Sequence, residues 1–148
     1  MVEEIVAHIE PGLEPRWRLA ALLHDAPEYV IGDMISPFKA ALGLNYKGFE
    51  DRLEAAIHLR FGLPARPPAS VKALIKQADQ ASAFFEATQI AGFSHAESLA
   101  LFGAPPKGYR LTIEPMSASA AQSRYLDRYH VLAEAAGFTP TDQAFDTE

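Results

Sequence analysis

Five polar side chains of the sequence could act together on a substrate: His24, Asp25 and Glu28 in one short stretch, Asp33 shortly after it, and Asp79 much later. An imidazole nitrogen and carboxylate oxygens are ligands that hard and borderline divalent metals accept in proteins. If helical geometry continues past Asp25, His24 and Glu28 share one face, because they are four residues apart. A carboxylate so placed can act as general base or acid toward a water molecule. The set predicts a hydrolytic metal site.

A His-Asp doublet alone is weak evidence for such a site, because it also arises by chance. His24 could equally pair within its own helix or pack at the helix end. For the remaining histidines we expect structural or surface roles, and this group comprises His58, His95 and His130. We expect packing rather than base stacking from three aromatic residues, Trp17, Tyr125 and Tyr129.

Composition and charge exclude several classes of function. The chain has 148 residues, of which 49% are hydrophobic and 22% charged, as is typical of one folded domain. Its net charge of -6 argues against a broad cationic surface for duplex nucleic acid or anionic lipid. Cysteine is absent, which excludes disulfides and cysteine nucleophiles. Because no apolar run is long enough to span a membrane and the basic start of a signal peptide is lacking, we expect a cytoplasmic protein without a membrane partner.

The elements that must position these residues are predicted to be helices. Apolar residues recur at helical spacing, and prolines and glycines separate the segments. Pro27, Gly32 and Pro37 interrupt residues 26–38, for which we expect a turn, a short helix and a loop. The sequence predicts one all-α domain over residues 1–148 with a polar tail at 139–148. The longer helices are expected at 2–10, 14–25, 47–61, 70–91, 94–102 and 117–136.

The residues around the doublet belong to a longer pattern, with HDAPE at 24–28, GD at 32–33, Pro37, Lys39, and KQAD at 76–79. This pattern resembles the HD-domain metal-dependent phosphohydrolases. It is most similar to the branch that contains the bacterial 5'-deoxynucleotidases and related phage or prophage proteins. The resemblance spans residues 18–86. It implies an HD-domain helical bundle, a divalent metal ion (Co, Mn, Mg, Zn or Fe), a small nucleotide as substrate, and a homo-oligomer.

Residue by residue, the resemblance implies that His24, Asp25 and Asp79 bind the metal. Glu28 would handle the proton of the attacking water or of the leaving group. Asp33 would help to position the water or the substrate sugar, and Lys39 either contacts the phosphate or is simply exposed to solvent. The implied reaction is phosphomonoester hydrolysis of deoxynucleoside 5'-monophosphates. Glu86, about two helical turns after Asp79, could line the same cleft, although a surface charge is the simpler interpretation.

The sequence departs from the family pattern near its beginning. The phosphohydrolases that it resembles have a further metal-ligating histidine on the helix before the doublet, where this chain has only His8. His8 lies about three turns beyond the expected position on that helix, so it is a poor substitute. We therefore expect a domain that lacks its first helix or helices and has a weak metal site.

Other functions stay open beside deoxynucleotide hydrolysis. A (deoxy)nucleoside triphosphate hydrolase of the same fold would share the pattern. A non-catalytic nucleotide-binding HD protein would keep the fold with an incomplete metal site. Alarmone hydrolysis is less favoured, because Tyr29 follows Glu28 where the alarmone hydrolases usually have an acidic residue.

Overall fold

The computed structural model describes residues 1–32 and 46–138, which form seven helices and no strand. The predicted all-α class is confirmed. Asp33, Lys39 and the predicted tail at 139–148 lie outside the described residues. In chain order the helices are α1 (Val2–Ile9), α2 (Pro15–Leu22), α3 (Ala26–Ile31), α4 (Tyr46–Arg60), α5 (Ala69–Gln89), α6 (His95–Phe102) and α7 (Ala118–Ala135).

Two helix starts follow the capping residues that the sequence supplies. The Ser94 Oγ accepts a hydrogen bond from the Glu97 N–H at 3.2 Å, and the Glu97 carboxylate accepts one from the Ser94 N–H at 2.8 Å. This reciprocal pair satisfies two backbone groups that no helical carbonyl can reach, so α6 begins where it was predicted. Ser117 caps α7 with a single bond, in which its Oγ accepts from the Ala120 N–H at 3.2 Å.

The expected helix over residues 14–25 ends earlier than predicted. Helix α2 stops at Leu22, a turn follows, and α3 begins at Ala26 with Pro27 in its first turn. A proline lacks the N–H that would bond the carbonyl four residues earlier, and its ring clashes with that carbonyl, whereas the first turn of a new helix tolerates it. The assumption that His24 and Glu28 share the face of one continuous helix was therefore wrong.

The helices enclose two adjoining hydrophobic clusters. Helix α2 packs against α1 and α7, α5 packs against α1 and α6, and α3 packs against α4. Leu13 and Ile75 contact both clusters and so join them into one core. The larger cluster contains Trp17, Leu19, Ala20, Leu23, Leu63, Val71, Tyr129, Leu132 and Ala133. The smaller one contains Val2, Ile5, Val6, Ala21, Ala78 and Ala81. Trp17 and Tyr129 are packing residues, as predicted.

A buried carboxylate ties three of these helices together. Glu3 on α1 is only 2% exposed, and its oxygens accept hydrogen bonds from Arg18 on α2 at 2.7 Å and from Arg128 on α7 at 2.7 and 2.9 Å. Burial alone would raise the pKa of Glu3, but the two guanidinium groups outweigh burial and hold it below 4.5. We call this group of three side chains the Glu3 clamp.

Among residues 1–32 and 46–138, no helix combines the length and the apolar character needed to cross a bilayer.

Replacing Glu3 by glutamine should lower the free energy of unfolding by about 3 kcal/mol, because the two arginines lose the charge that compensates them. Glu4→Gln is the matched control. Its partner Arg124 lies 2.8 Å away on the surface, and such an exposed pair contributes at most about 1 kcal/mol. Urea denaturation followed by circular dichroism measures both values. Equal losses in the two variants would contradict a stabilising role for the clamp.

The same clamp predicts how stability depends on pH. Because the folded state lowers the pKa of Glu3, its contribution is present above pH 4.5 and is lost as the pH falls through the lowered value. The wild type should therefore lose more stability than Glu3→Gln when the pH is lowered below 4.5. Urea titrations of both proteins across this pH range measure the difference in the free energy of unfolding. If the two proteins lose the same free energy as the pH falls, the clamp is not the source of the pH dependence.

Candidate functional site

His24 lies in the turn between α2 and α3, where two carboxylates approach its ring. The His24 Nε2 is 3.0 Å from an oxygen of Asp25 and 3.7 Å from an oxygen of Asp79. The His24 side chain is 20% exposed, whereas the carboxylates are 63% and 55% exposed. The fold thus brings together the three residues that were predicted as metal ligands, one of them from a distant part of the sequence.

The local structure leaves these side chains available to a ligand. Asp25 is the N-cap residue of α3, yet its side chain makes no capping hydrogen bond with the described backbone. Neither ring nitrogen of His24 makes an aligned hydrogen bond with a described residue, so the 3.0 Å contact is a close ion pair. Asp79 follows the fully buried Ala78 on α5, which fixes the helix at this point.

The two carboxylates control the protonation of His24. Burial alone would lower the pKa of the imidazole, but Asp25 and Asp79 together raise it to about 9. At neutral pH and without a bound cation, His24 is therefore protonated and compensates part of the charge of the two aspartates.

Three cavities meet at His24. The Glu28 cavity, of about 200 Å³, is bordered by His24, Asp25, Glu28 and three acidic residues of α4, which are Glu50, Asp51 and Glu54. Glu28 thus borders the same space as two of the predicted ligands, His24 and Asp25, even though the helix breaks between them. The Glu28 N–H donates to the Asp25 carbonyl at 2.9 Å, which fixes the first turn of α3 beside His24. The predicted roles of Asp33 and Lys39 concern residues outside the described ranges.

The second space is the Glu86 cavity, of about 390 Å³, which includes His24, Asp25, Ser82, Glu86 and Tyr125. The Ser82 hydroxyl donates a hydrogen bond to the Glu86 carboxylate at 3.2 Å. Glu86 is exposed to solvent, as the simpler interpretation predicted. It also lines the cleft that contains His24 and Asp25.

The third space, the His58 cavity, was missed by the sequence interpretation. It measures about 520 Å³ and lies between α4 and α5, bordered by His24, Glu50, Glu54, His58, Lys72, Lys76 and Asp79. We expected a structural or surface role for His58. It is 2% exposed, which agrees with a structural role, and it also lines this cavity. Its position four residues after Glu54 and eight after Glu50 was the available signal, because such spacing places all three on one helical face.

The other histidines lie against aromatic rings. His95 packs against Phe84 and His130 against Tyr129, each with ring centroids 5.3 Å apart. The His8 ring is 5.0 Å from that of Tyr109, and its Nε2 lies 3.4 Å from the Lys107 carbonyl oxygen. These contacts agree with the structural and surface roles predicted for His95 and His130, and they keep His8 engaged away from the doublet.

His24, Asp25 and Asp79 offer the kinds of ligand atom that a divalent cation accepts, but they do not form a complete metal centre. One imidazole and two carboxylates are suitable ligands, and both nitrogens of His24 lack hydrogen-bond partners among the described residues. Within this described part of the chain, however, no group of three or more histidine, aspartate or glutamate side chains is arranged to hold a metal ion. His24, Asp25 and Asp79 are therefore neighbours that a cation could draw together, rather than a closed coordination shell.

Comparison with known proteins adds one relative. No protein-family model matches the sequence. Over 136 residues the chain is 53% identical to an uncharacterized protein of Rhodobacter capsulatus, a match that covers 89% of this chain and 68% of that protein. At this identity and coverage, the chain belongs to the same family as the Rhodobacter capsulatus protein.

The pKa of His24 should respond to both neighbouring carboxylates. In metal-free protein we expect its ring to titrate near pH 9, and Asp79→Asn or Asp25→Asn should lower this value because each removes one negative charge. Since folding raises the pKa above 6.5, the stabilisation is complete below pH 6.5 and disappears as the pH rises through about 9. NMR titration of the His24 ring, assigned with His24→Gln, measures the shift. An unchanged value in Asp79→Asn would contradict the contact.

Proposed function

We propose that this member of the Rhodobacter capsulatus protein's family is an HD-type metal-dependent phosphohydrolase that hydrolyses deoxynucleoside 5'-monophosphates. The observation that carries the proposal is the approach of Asp25 and Asp79 to one nitrogen of His24, at a point where cavities converge. The HDAPE, GD and KQAD patterns supply the specific resemblance. A cytoplasmic location and self-association belong to the same proposal.

The residues of the site have separate tasks in this reaction. His24, Asp25 and Asp79 would hold a divalent cation. When bound, the cation supplies positive charge to the phosphate and acidifies a water molecule. Glu28, beside the same cavity, would accept the proton of the attacking water as its oxygen bonds to phosphorus. The bond between phosphorus and the sugar 5'-oxygen would break, and that oxygen would take up the proton that Glu28 had accepted and leave as the nucleoside hydroxyl.

One observation favours a second function, nucleotide binding without hydrolysis. The described residues offer a single imidazole at the site and no closed metal-binding group, so the affinity for a cation would be low. Metal analysis of the purified protein separates the two functions. A stoichiometric divalent ion supports the hydrolase, whereas nucleotide binding without metal and without turnover supports the binding protein. Release of inorganic triphosphate from deoxynucleoside triphosphates would instead identify a triphosphate hydrolase.

Asp79→Ala should reduce phosphate release from deoxynucleoside 5'-monophosphates by roughly 100-fold or more, because a charged ligand of the cation is lost. Activity is measured with cobalt, manganese, magnesium or zinc added to metal-free protein. Asp127→Ala is the matched control, since it removes an exposed aspartate from α7, far along the chain from the doublet. Activity that is the same in both variants would refute the role of Asp79.

Glu28→Gln should lower kcat by roughly 10²–10⁴-fold while leaving metal content unchanged, because the amide cannot accept the proton. Glu134→Gln, an exposed glutamate of α7, controls for removal of a surface carboxylate. Metal analysis and steady-state kinetics on the same preparations give both quantities. If Glu28→Gln loses its metal in parallel with its activity, Glu28 is a ligand and not the proton acceptor.

A further inference from the structure

A cavity of about 270 Å³ adjoins the space around His24 and has no role in the reaction proposed above. It lies between the beginning of α1, helix α7 and the connector of residues 103–117 that joins α6 to α7, and we call it the connector cavity. Leu22 and Tyr125 border both this cavity and the Glu86 cavity, which contains His24. Because Leu22 is two residues before His24, their Cα atoms are at most about 7 Å apart. The connector cavity therefore begins beside the candidate site.

The connector wall of this cavity is held by one side chain of α5. The Gln89 amide nitrogen donates to the Leu111 carbonyl at 2.8 Å, and its oxygen accepts from the Ile113 N–H at 2.9 Å. This is the bonding pattern of an extended chain, in which successive residues direct their backbone groups to opposite sides. The N–H and carbonyl of Thr112 thus point away from Gln89, and they bond to no described residue.

The free backbone groups of Thr112 lie on the cavity side of the connector. Thr112 borders the connector cavity, whereas Gln89, on the opposite side of the connector, does not. One donor and one acceptor are therefore available next to each other at this wall. A planar group whose edge carries an acceptor beside a donor can bond to both of them at once.

The charged groups around the connector cavity are paired with one another. Arg128 bonds to Glu3 in the clamp. The Arg124 guanidinium lies 2.8 Å from the Glu4 carboxylate, and the amino group of Met1 lies 3.5 Å from it. An anion entering the cavity would compete with these carboxylates and would also meet a third glutamate of the lining. An uncharged group fits the cavity better.

The remaining lining favours a flat apolar group. The cavity is bordered by the side chains of Leu22, Leu111, Ile113, Met116 and Tyr125. Tyr125 is 42% exposed, and its hydroxyl lies 3.5 Å from the Leu22 carbonyl oxygen, at the boundary between the two cavities. Aromatic side chains that are accessible in this way provide surfaces on which nucleobases stack.

We propose that the connector cavity binds the nucleobase of the substrate, with the Tyr125 ring against the face of the base and the Thr112 backbone groups at its edge. This inference rests on the proposed function, since it assumes that the phosphate is held beside His24 and Asp25. Tyr125 is then a specificity-determining residue, which favours nucleotides over sugar phosphates. This role differs from the packing role that the sequence predicted for Tyr125.

Kinetics with two substrates test the inference. Tyr125→Leu should lower kcat/KM for 2'-deoxyadenosine 5'-monophosphate roughly tenfold, mainly through KM, because the stacking surface is lost. Hydrolysis of 2-deoxyribose 5-phosphate, which has no base, should be unchanged, and this also shows that the variant is folded. Tyr125→Phe, which keeps the ring, should retain most of the wild-type value.

Leu126→Ala is the matched control, because Leu126 is a similarly exposed residue of α7 that does not border the cavity. It should leave both substrates unaffected. Equal losses for the two substrates in Tyr125→Leu, or no loss for either, would overturn the proposal.

A binding experiment separates this inference from the proposed function. The methionine methyl groups of the wild type are labelled with ¹³C, and 2'-deoxyadenosine, which has no phosphate to hydrolyse, is added. We expect the Met116 signal, assigned with Met116→Leu, to shift because Met116 lines the connector cavity. The same concentration of 2-deoxyribose should leave it in place. If the wild type hydrolyses neither phosphate ester, the proposed function fails and this experiment alone decides whether the cavity binds a base. A Met116 signal that does not shift, or that shifts equally with 2-deoxyribose, would refute the inference.

Discussion

The burial of the Glu3 carboxylate is the constraint on which the rest of the arrangement depends. An ionised carboxylate taken out of water must be paired and hydrogen-bonded, and Arg18 and Arg128 meet this requirement for Glu3. The clamp therefore fixes α1, α2 and α7 relative to one another. Because α2 ends in the turn that contains His24, and α1 packs against the helix that contains Asp79, the clamp also sets where the site residues can meet.

The candidate site lies where regular structure is interrupted. Pro27 ends any continuation of α2, so the chain turns between Leu22 and Ala26 and places His24 and Asp25 on that turn. Neighbouring residues in a turn can direct their side chains toward the same point, whereas a continuous helix would direct them to different sides of its axis. Asp79, by contrast, lies inside the longest helix, held by the buried Ala78 before it. A rigid helix thus supplies one carboxylate, and a proline-directed turn supplies the imidazole and the other.

The parts of this structure that could be predicted from the sequence are those encoded over short distances. Helical periodicity located most of the helices, and a sequence pattern associated Asp79 with His24. The Glu3 clamp could not be predicted, because its arginines are far away in sequence and no local spacing relates them to Glu3. The sequence left open whether His58 has a structural or a surface role, because its spacing from Glu54 is also that of an ordinary surface pair, and only the fold shows that it is buried. The roles of Asp33 and Lys39 stay predictions.

The charge around His24 limits which chemistry the site can support. Asp25, Asp79 and Glu28 contribute negative charge beside a single imidazolium, and the neighbouring helix α4 adds further carboxylates to the Glu28 cavity. A phosphate dianion would be repelled from such a space, because Coulombic repulsion at a few ångströms is strong away from bulk water. Binding of a divalent cation would displace the proton of His24 and reverse this balance. A phosphate ester can therefore be hydrolysed at this site only if a cation binds with it or before it.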